Sequence, residues 1–481
     1  MKRSFGLFCL LVLLSGTSVL SAEAIIEVND TGSPSDDYLC WSPTHARIKL
    51  GTETDSAVAV TISQRNVPGG GTIWFLRDDG ARPTSATFDP QETLAVTLPA
   101  DGSWQSFWVA GRSPSVANQD VSIIATTSDG NEIGRAPVMV RVRKNADTLT
   151  PAERDRFLSA LRALHDLDHD ARVSQYIKYY RAHDDAFDLG IHGAPDGLPL
   201  FLSWHRAFLL SIERELQLID PTVALPYWRF DRPSTKIFSR DFMGTVQRNT
   251  PGPGGFIVEF SPTNSLRGWS MHDGQGALVR GRDGDTRPPI PAGRLDDLFN
   301  QPRASAYGGP AGGLNGALEF SYHNGAHSVI SGWLATGSSP RDPLFYLLHA
   351  NVDRAWALWQ DQHKAFDFSA TDGKSYTASA QGTYPGPQPP DRFRKGSYAN
   401  DIMWPWSNVG GDGGTPDEVD DWPTIAFPMP NGLPNSGPTL PPTPASQIDY
   451  LDTHGRGLAL NACYDDIPYR ADASAPGPVN P

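Results

Sequence analysis

Glu319-Phe320-Ser321-Tyr322-His323-Asn324-Gly325-Ala326-His327 sets two histidines four positions apart. On a helix that spacing puts both imidazoles on one face. His349 follows on the next helical segment, within Asp342-Pro343-Leu344-Phe345-Tyr346-Leu347-Leu348-His349. Upstream, His183, His192 and His205 fall in another stretch that includes two helices. A pair at this spacing, with a third imidazole from a neighbouring helix, can surround one metal ion. Two such groups facing each other in a bundle core make a dinuclear site.

Ligand type narrows the metal. Imidazole suits zinc, copper, iron and nickel. A di-iron bundle site needs Glu-x-x-His pairs, and neither His323 nor His327 has Glu three residues before it. A zinc protease carries His-Glu-x-x-His, whereas Asn324-Gly325-Ala326 separate this pair. Neutral imidazoles leave the metal charge uncompensated. That favours Cu(I) poised to take up oxygen as a bridging peroxide, which supplies the missing negative charge.

Around the histidines the pattern is helical. Thr150-Pro151-Ala152-Glu153 reads as a helix start, with Thr150 capping, Pro151 at the first position and Glu153 closing a capping box. Leu158, Leu161, Leu164 and Leu167 then recur at helical spacing. Further helices are predicted over 171–183, after Trp204, around His323 and over 343–362. The stretches 234–313 and 371–446 are rich in Gly and Pro and read as long loops.

Residues 25–145 differ. Apolar and polar positions alternate over 57–63, 72–76, 93–98, 106–109, 121–126 and 138–142, each fitting a half-buried strand. Turn signals such as Pro68-Gly69-Gly70 and Asp129-Gly130 lie between them. The expected architecture is a multi-domain chain. An all-β, immunoglobulin-like sandwich over 25–145 precedes a mainly α-helical bundle with long loops over 148–470, which holds the metal site. Residues 471–481 read as a flexible tail.

Lys2 and Arg3, the apolar run 5–14 and Ala22-Glu23-Ala24 form a signal-peptide pattern over 1–24, implying a secreted or periplasmic protein. After cleavage no membrane contact is expected. Cys9 leaves with that segment, so Cys40 and Cys463 remain as an even pair, expected to form a disulfide. Two cysteines cannot build a thiolate cluster, which again leaves His or carboxylate to hold metal. The net charge of −14 would repel nucleic acid and sets aside polyanion partners.

Beyond the bare spacing, the runs around the histidines are distinctive. They read His192-Gly193-Ala194-Pro195, Leu200-Phe201-Leu202-Ser203-Trp204-His205-Arg206-Ala207-Phe208-Leu209-Leu210 and Leu225-Pro226-Tyr227-Trp228. The run from Glu319 to His327 and the run from Asp342 through His349-Ala350-Asn351-Val352-Asp353-Arg354 follow. Together they resemble the two copper-binding signatures of the tyrosinase family, which includes catechol oxidases and molluscan haemocyanins. The resemblance covers roughly 150–365, with weaker echoes at Met403-Trp404-Pro405-Trp406 and over 460–464. It implies two copper ions, copper A on His183, His192 and His205 and copper B on His323, His327 and His349. His165 and His169 are outside candidates for the place of His183.

The chain departs from the family pattern at several positions. Twelve residues separate His192 from His205 where family members usually have eight. Leu348 replaces the first of two adjacent histidines, and Gly190 stands where many members cross-link a Cys. Thr336 replaces a bulky Phe of plant members, which implies an open pocket. Asp353, one turn after His349, is expected to accept a hydrogen bond from a ligand imidazole.

Glu319 and Asn324 match positions that hold a water beside copper B in some members. That water would serve as the base that monophenol hydroxylation needs, a phenol's pKa lying near 10. The resemblance therefore implies a phenol oxidase that uses O2, bound as peroxide between the coppers, to hydroxylate monophenols and oxidise o-diphenols to o-quinones. Its partners would be a phenolic small molecule and O2, with a copper-delivery protein left open. The alternatives are a catechol or o-aminophenol oxidase without monophenolase activity, an oxygen carrier and a zinc hydrolase. The sandwich could shield the site or localise the enzyme on a polymer.

Overall fold

The computed structural model describes residues 23–29, 38–167, 175–188, 190, 198–271, 276–284, 287–308, 313–368, 376, 382–383, 385, 396–406, 441–456 and 459–469. The segment read as a signal peptide, apart from its last two residues, His169, His192 and the stretch read as a tail lie outside the described residues.

The N-terminal part is β-rich. It contains β1 (Ala24–Val28), β2 (Tyr38–Leu39), β3 (Thr44–Leu50), β4 (Val58–Asn66), β5 (Thr72–Arg77), β6 (Leu94–Leu98), β7 (Gln105–Ser113), β8 (Val121–Thr127) and β9 (Glu132–Val140). One sheet runs β1-β3-β7-β5 and the other β2-β9-β8-β4-β6. Alternation works as expected in β4, where Val60 and Ile62 turn inward and face Thr127 and Ala125 of β8.

The first three strands escaped that reading for physical reasons. Ile25-Ile26 breaks alternation in β1, and β2 is two residues long. In β3 the inward positions begin with Thr44 and Ala46, too small or polar to stand out. Gly111 of β7 is required by close approach, since a Cβ there would lie 2.6 Å from Val140 and 2.7 Å from the Cys40 carbonyl.

The second half is not the mainly α-helical bundle that the periodicity predicts. Its long helices are α1 (Pro151–Asp166), α2 (Gln175–Asp188), α3 (Phe201–Ile219) and, after three helices of six or seven residues, α7 (Leu344–His363). The short ones are α4 (Arg294–Phe299), α5 (Gly313–Leu318) and α6 (Asn324–Ile330). A third, antiparallel sheet of β10 (Thr245–Gly252), β11 (Gly255–Glu259) and β12 (Val279–Arg280) stands where a loop is expected. Its hairpin turns at Gly254, which has φ +77°, and the register slips between Val246 and Pro251. That irregularity, with Pro and Gly at the turn, hid the strands.

The capping box of α1 forms as read. Thr150 Oγ1 accepts from the Glu153 amide at 3.2 Å, and the Glu153 carboxylate accepts from the Thr150 amide at 2.9 Å. Among the described residues no helix is long and apolar enough to cross a membrane.

The β-rich part does not close on itself. Its core continues into Leu210 of α3, Ala350 and Ala357 of α7, and Tyr450, Leu451 and Tyr464 near the C-terminus. Cys40 and Cys463 form a disulfide with their Cα atoms 6.0 Å apart. Beside it the Trp41 indole donates to the Tyr464 carbonyl at 2.6 Å.

Candidate metal centre

Five histidines meet between α2, α3, the α5–α6 region and α7. The α5 helix runs into a π turn, Glu319–His323, in which the Asn324 amide donates to the Glu319 carbonyl. This wider turn carries His323, and His327 lies one turn further along α6. Against them stand His183 on α2, His205 on α3 and His349 on α7.

Their Nε2 atoms converge. His183 and His205 approach to 3.4 Å, and His349 lies 3.1 Å from both His323 and His327. Two compact groups result, His183–His205–His349 and His323–His327–His349, so the His349 nitrogen is close to both. The His349 ring stacks on His205 at 4.2 Å and on Phe345 at 4.0 Å. Phe201 fills the gap between His205 and His323, 4.7 Å from each ring.

The outward nitrogens decide what the inward ones can do. His183 Nδ1 donates to the Gly337 carbonyl at 2.6 Å, and His205 Nδ1 to the Phe201 carbonyl at 2.7 Å. His327 Nδ1 donates to the Leu334 carbonyl at 2.6 Å, and His323 Nδ1 to Asn324 Oδ1 at 2.8 Å. A neutral imidazole that donates from Nδ1 carries a lone pair on Nε2. Burial keeps two of the rings neutral: it pushes His327 down to about 4, and burial together with four neighbouring histidines holds His349 far below its ordinary value.

The Nε2 lone pairs of His183 and His205, 3.4 Å apart in a buried pocket, repel unless a cation lies between them. Imidazole nitrogens bound at about 2.0 Å to one metal ion lie roughly 3.3–3.5 Å from each other. The residues present therefore fit metal ions.

Of the expected ligands, His183, His205, His323, His327 and His349 are brought together; His192 lies outside the described residues. His165 is a satisfied core residue: Nδ1 pairs with Asp166 at 2.9 Å and Nε2 with the Ser270 carbonyl at 2.7 Å. Asp353 bonds no imidazole among the described residues. It accepts from Arg206 at 2.6 Å, Arg143 at 3.0 Å and the Tyr464 hydroxyl at 2.6 Å. His349 Nδ1 is left buried without a hydrogen-bond partner.

Glu319 is partly buried, and burial pushes its carboxyl up to about 7. Asn324 is exposed and orients His323. Thr336 is exposed, between the two carbonyls that hold His327 and His183. Those carbonyls, Leu334 and Gly337, escaped the sequence reading because main-chain oxygens leave no residue signature. A Cβ on Gly337 would lie 2.5 Å from Asp184 Oδ1, so a glycine here is the one available signal.

Residues 160–362 match the family model described as the common central domain of tyrosinase. A tyrosinase of Streptomyces lincolnensis is 34% identical over 236 residues, covering 46% of this chain and 84% of that protein. Grixazone synthase of Streptomyces griseus subsp. griseus is 30% identical, covering 47% of this chain and 86% of that protein. Hemocyanin 1 of Megathura crenulata is 28% identical over 46% of this chain, which is 6% of its own length.

Proposed function

The chain belongs to the tyrosinase family of copper oxidases, and from that premise we propose that it both hydroxylates monophenols and oxidises o-diphenols to o-quinones. The observation that carries the reading is the convergence of five imidazole Nε2 atoms, four of them with their Nδ1 protons committed elsewhere. His183, His192 and His205 would hold one copper, and His323, His327 and His349 the other. Bound copper supplies a two-ion redox centre at which O2 is reduced. Two diphenols give four electrons and four protons to one O2, leaving two quinones and two waters.

The chain's own residues handle the proton. A phenol must be deprotonated before its ring is hydroxylated, and with a pKa near 10 it needs a base. Glu319, pushed up to about 7, is matched to that task near neutral pH. The Asn324 amide oxygen is taken by His323, which leaves its NH2 to hold a water whose proton passes to Glu319. The exposed Thr336 leaves room for a phenol to enter.

A second reading is a catechol or o-aminophenol oxidase. The Asn324–His323 bond favours it, because orienting a ligand requires no bound water. Quinone formation from p-cresol and from 4-methylcatechol by the copper-loaded chain separates the two. Product from both supports the first reading, and product from the catechol alone replaces it with the second. Copper analysis should give two ions per chain.

Secretion after removal of 1–24, and a division into β-rich 25–145 and copper-binding 148–470, complete the proposal. The Cys40–Cys463 disulfide supports an oxidising compartment.

A further inference from the structure

Where the chain leaves β9 and crosses α3, three guanidinium groups gather in the interior, and of these only Arg143 is hydrogen-bonded to carboxylates among the described residues. Arg141 and Arg143 follow the end of β9, Arg214 lies on α3, and all three are buried. Glu213 is already committed: it accepts from Arg143 at 2.8 Å and from the Leu225 amide at 2.7 Å. Arg143 is satisfied by Glu213, Asp353 and the Tyr464 hydroxyl. Arg141 donates to the Pro221 carbonyl and stacks over Tyr38 at 4.5 Å, neither of which is an anion.

Arg214 is the exposed difficulty in this arrangement. Only 2% of it reaches solvent, yet Nη1 and Nη2 both lack a hydrogen-bond partner among the described residues. Burial and the neighbouring Arg141 and Arg143 push it down to about 9, with Glu213 opposing. A buried charge with no partner is among the costliest features a fold can contain. Native proteins meet such a debt with a hydrogen-bonded counter-ion, and a guanidinium presents a planar fork suited to one.

We propose that Arg214, with Arg141 beside it, binds a small inorganic monovalent anion of chloride size in the seam between α3 and the end of β9. A cleft at this seam is lined by Arg141, Arg156, Ser115 and Thr222 together with the Lys144–Glu153 ion pair, so Arg141 and Arg156 give its wall a surplus of positive charge. The ion is small because both free nitrogens lie in a closed interior. It neutralises Arg214 and ties α3, which carries His205 nine residues upstream, to the β-rich part.

The test uses the copper-loaded full chain. Crystals grown in sodium bromide should give an anomalous peak within hydrogen-bond distance of Arg214 Nη1 or Nη2. Replacing sodium gluconate by sodium chloride at equal ionic strength should raise Tm saturably, by roughly 3 °C or more. In Arg214→Met both the peak and the chloride response should vanish. Should that variant fail to fold, the bromide map and the salt comparison on the unaltered chain still decide the matter. No bromide at Arg214 together with equal Tm in the two salts overturns the proposal, as does a chloride response retained in Arg214→Met.

Discussion

Asp353 stands one helical turn beyond His349, the place for a carboxylate that would steady a ligand ring, yet it serves two arginines and a tyrosine instead. Its side chain is 2% exposed. Asp353→Ala would leave Arg143 and Arg206 facing each other without their shared acceptor. The expected loss is about 3–5 kcal/mol, read by urea unfolding. Glu319 makes a different prediction. With its carboxyl at about 7, the basic form is scarce at pH 6 and dominant at pH 8. Monophenol turnover should therefore rise roughly tenfold over that interval, and Glu319→Gln should flatten the rise while diphenol turnover changes little. Much of this scale was legible beforehand. His323 and His327 announce themselves because a four-residue step repeats the helix turn, and His205 because of the Trp and Arg around it. The role of Asp353 was misread because spacing reports which face a side chain occupies, and two arginines distant in sequence decided its partners.

At the scale of elements, the short connection from α6 to α7, built of two 3-10 turns at Gly332–Ala335 and Ser339–Arg341, has more influence on the centre than its length suggests. Two of its carbonyls, Leu334 and Gly337, fix one imidazole from each histidine group. Gly337→Ala would set a Cβ 2.5 Å from Asp184 Oδ1, so that the Asp184 carboxylate or the Gly337 carbonyl beside it must shift. Copper content and oxidase rate should fall in that variant, with far-ultraviolet circular dichroism unchanged. Thr150→Ala, by contrast, removes only a cap and should cost about 1 kcal/mol of stability without touching activity. The cap was readable because its chemistry is local: Thr, Pro and Glu within four positions. The sheet of β10, β11 and β12 was not, since its pairing closes across a bulge and a Pro-Gly turn that imitate a loop. The π turn at Glu319–His323 carries no composition signature either.

Across the whole molecule, the β-rich part and the helical part share one apolar interior, so cutting between them exposes Leu210, Ala350 and Tyr464. A chain lacking 25–145 should be insoluble or aggregate on purification. Alternation revealed the strands, but no local pattern could reveal that two parts of different texture would lean on a common core. The disulfide adds a long-range constraint. Its sequence separation is 423, and Cys40→Ser should lower stability by about 5 kcal/mol at most, measured as a fall in Tm under non-reducing conditions. The same bond has a consequence for the order of events during synthesis. Position 40 emerges 423 residues before position 463, and the sequence offers no other cysteine but Cys9. Until the segment carrying Cys463 arrives, the Cys40 thiol has no native mate. Sealing it therefore reports that this segment has been made and has docked, and a product cut short before it would carry an open thiol for folding oxidoreductases to detect.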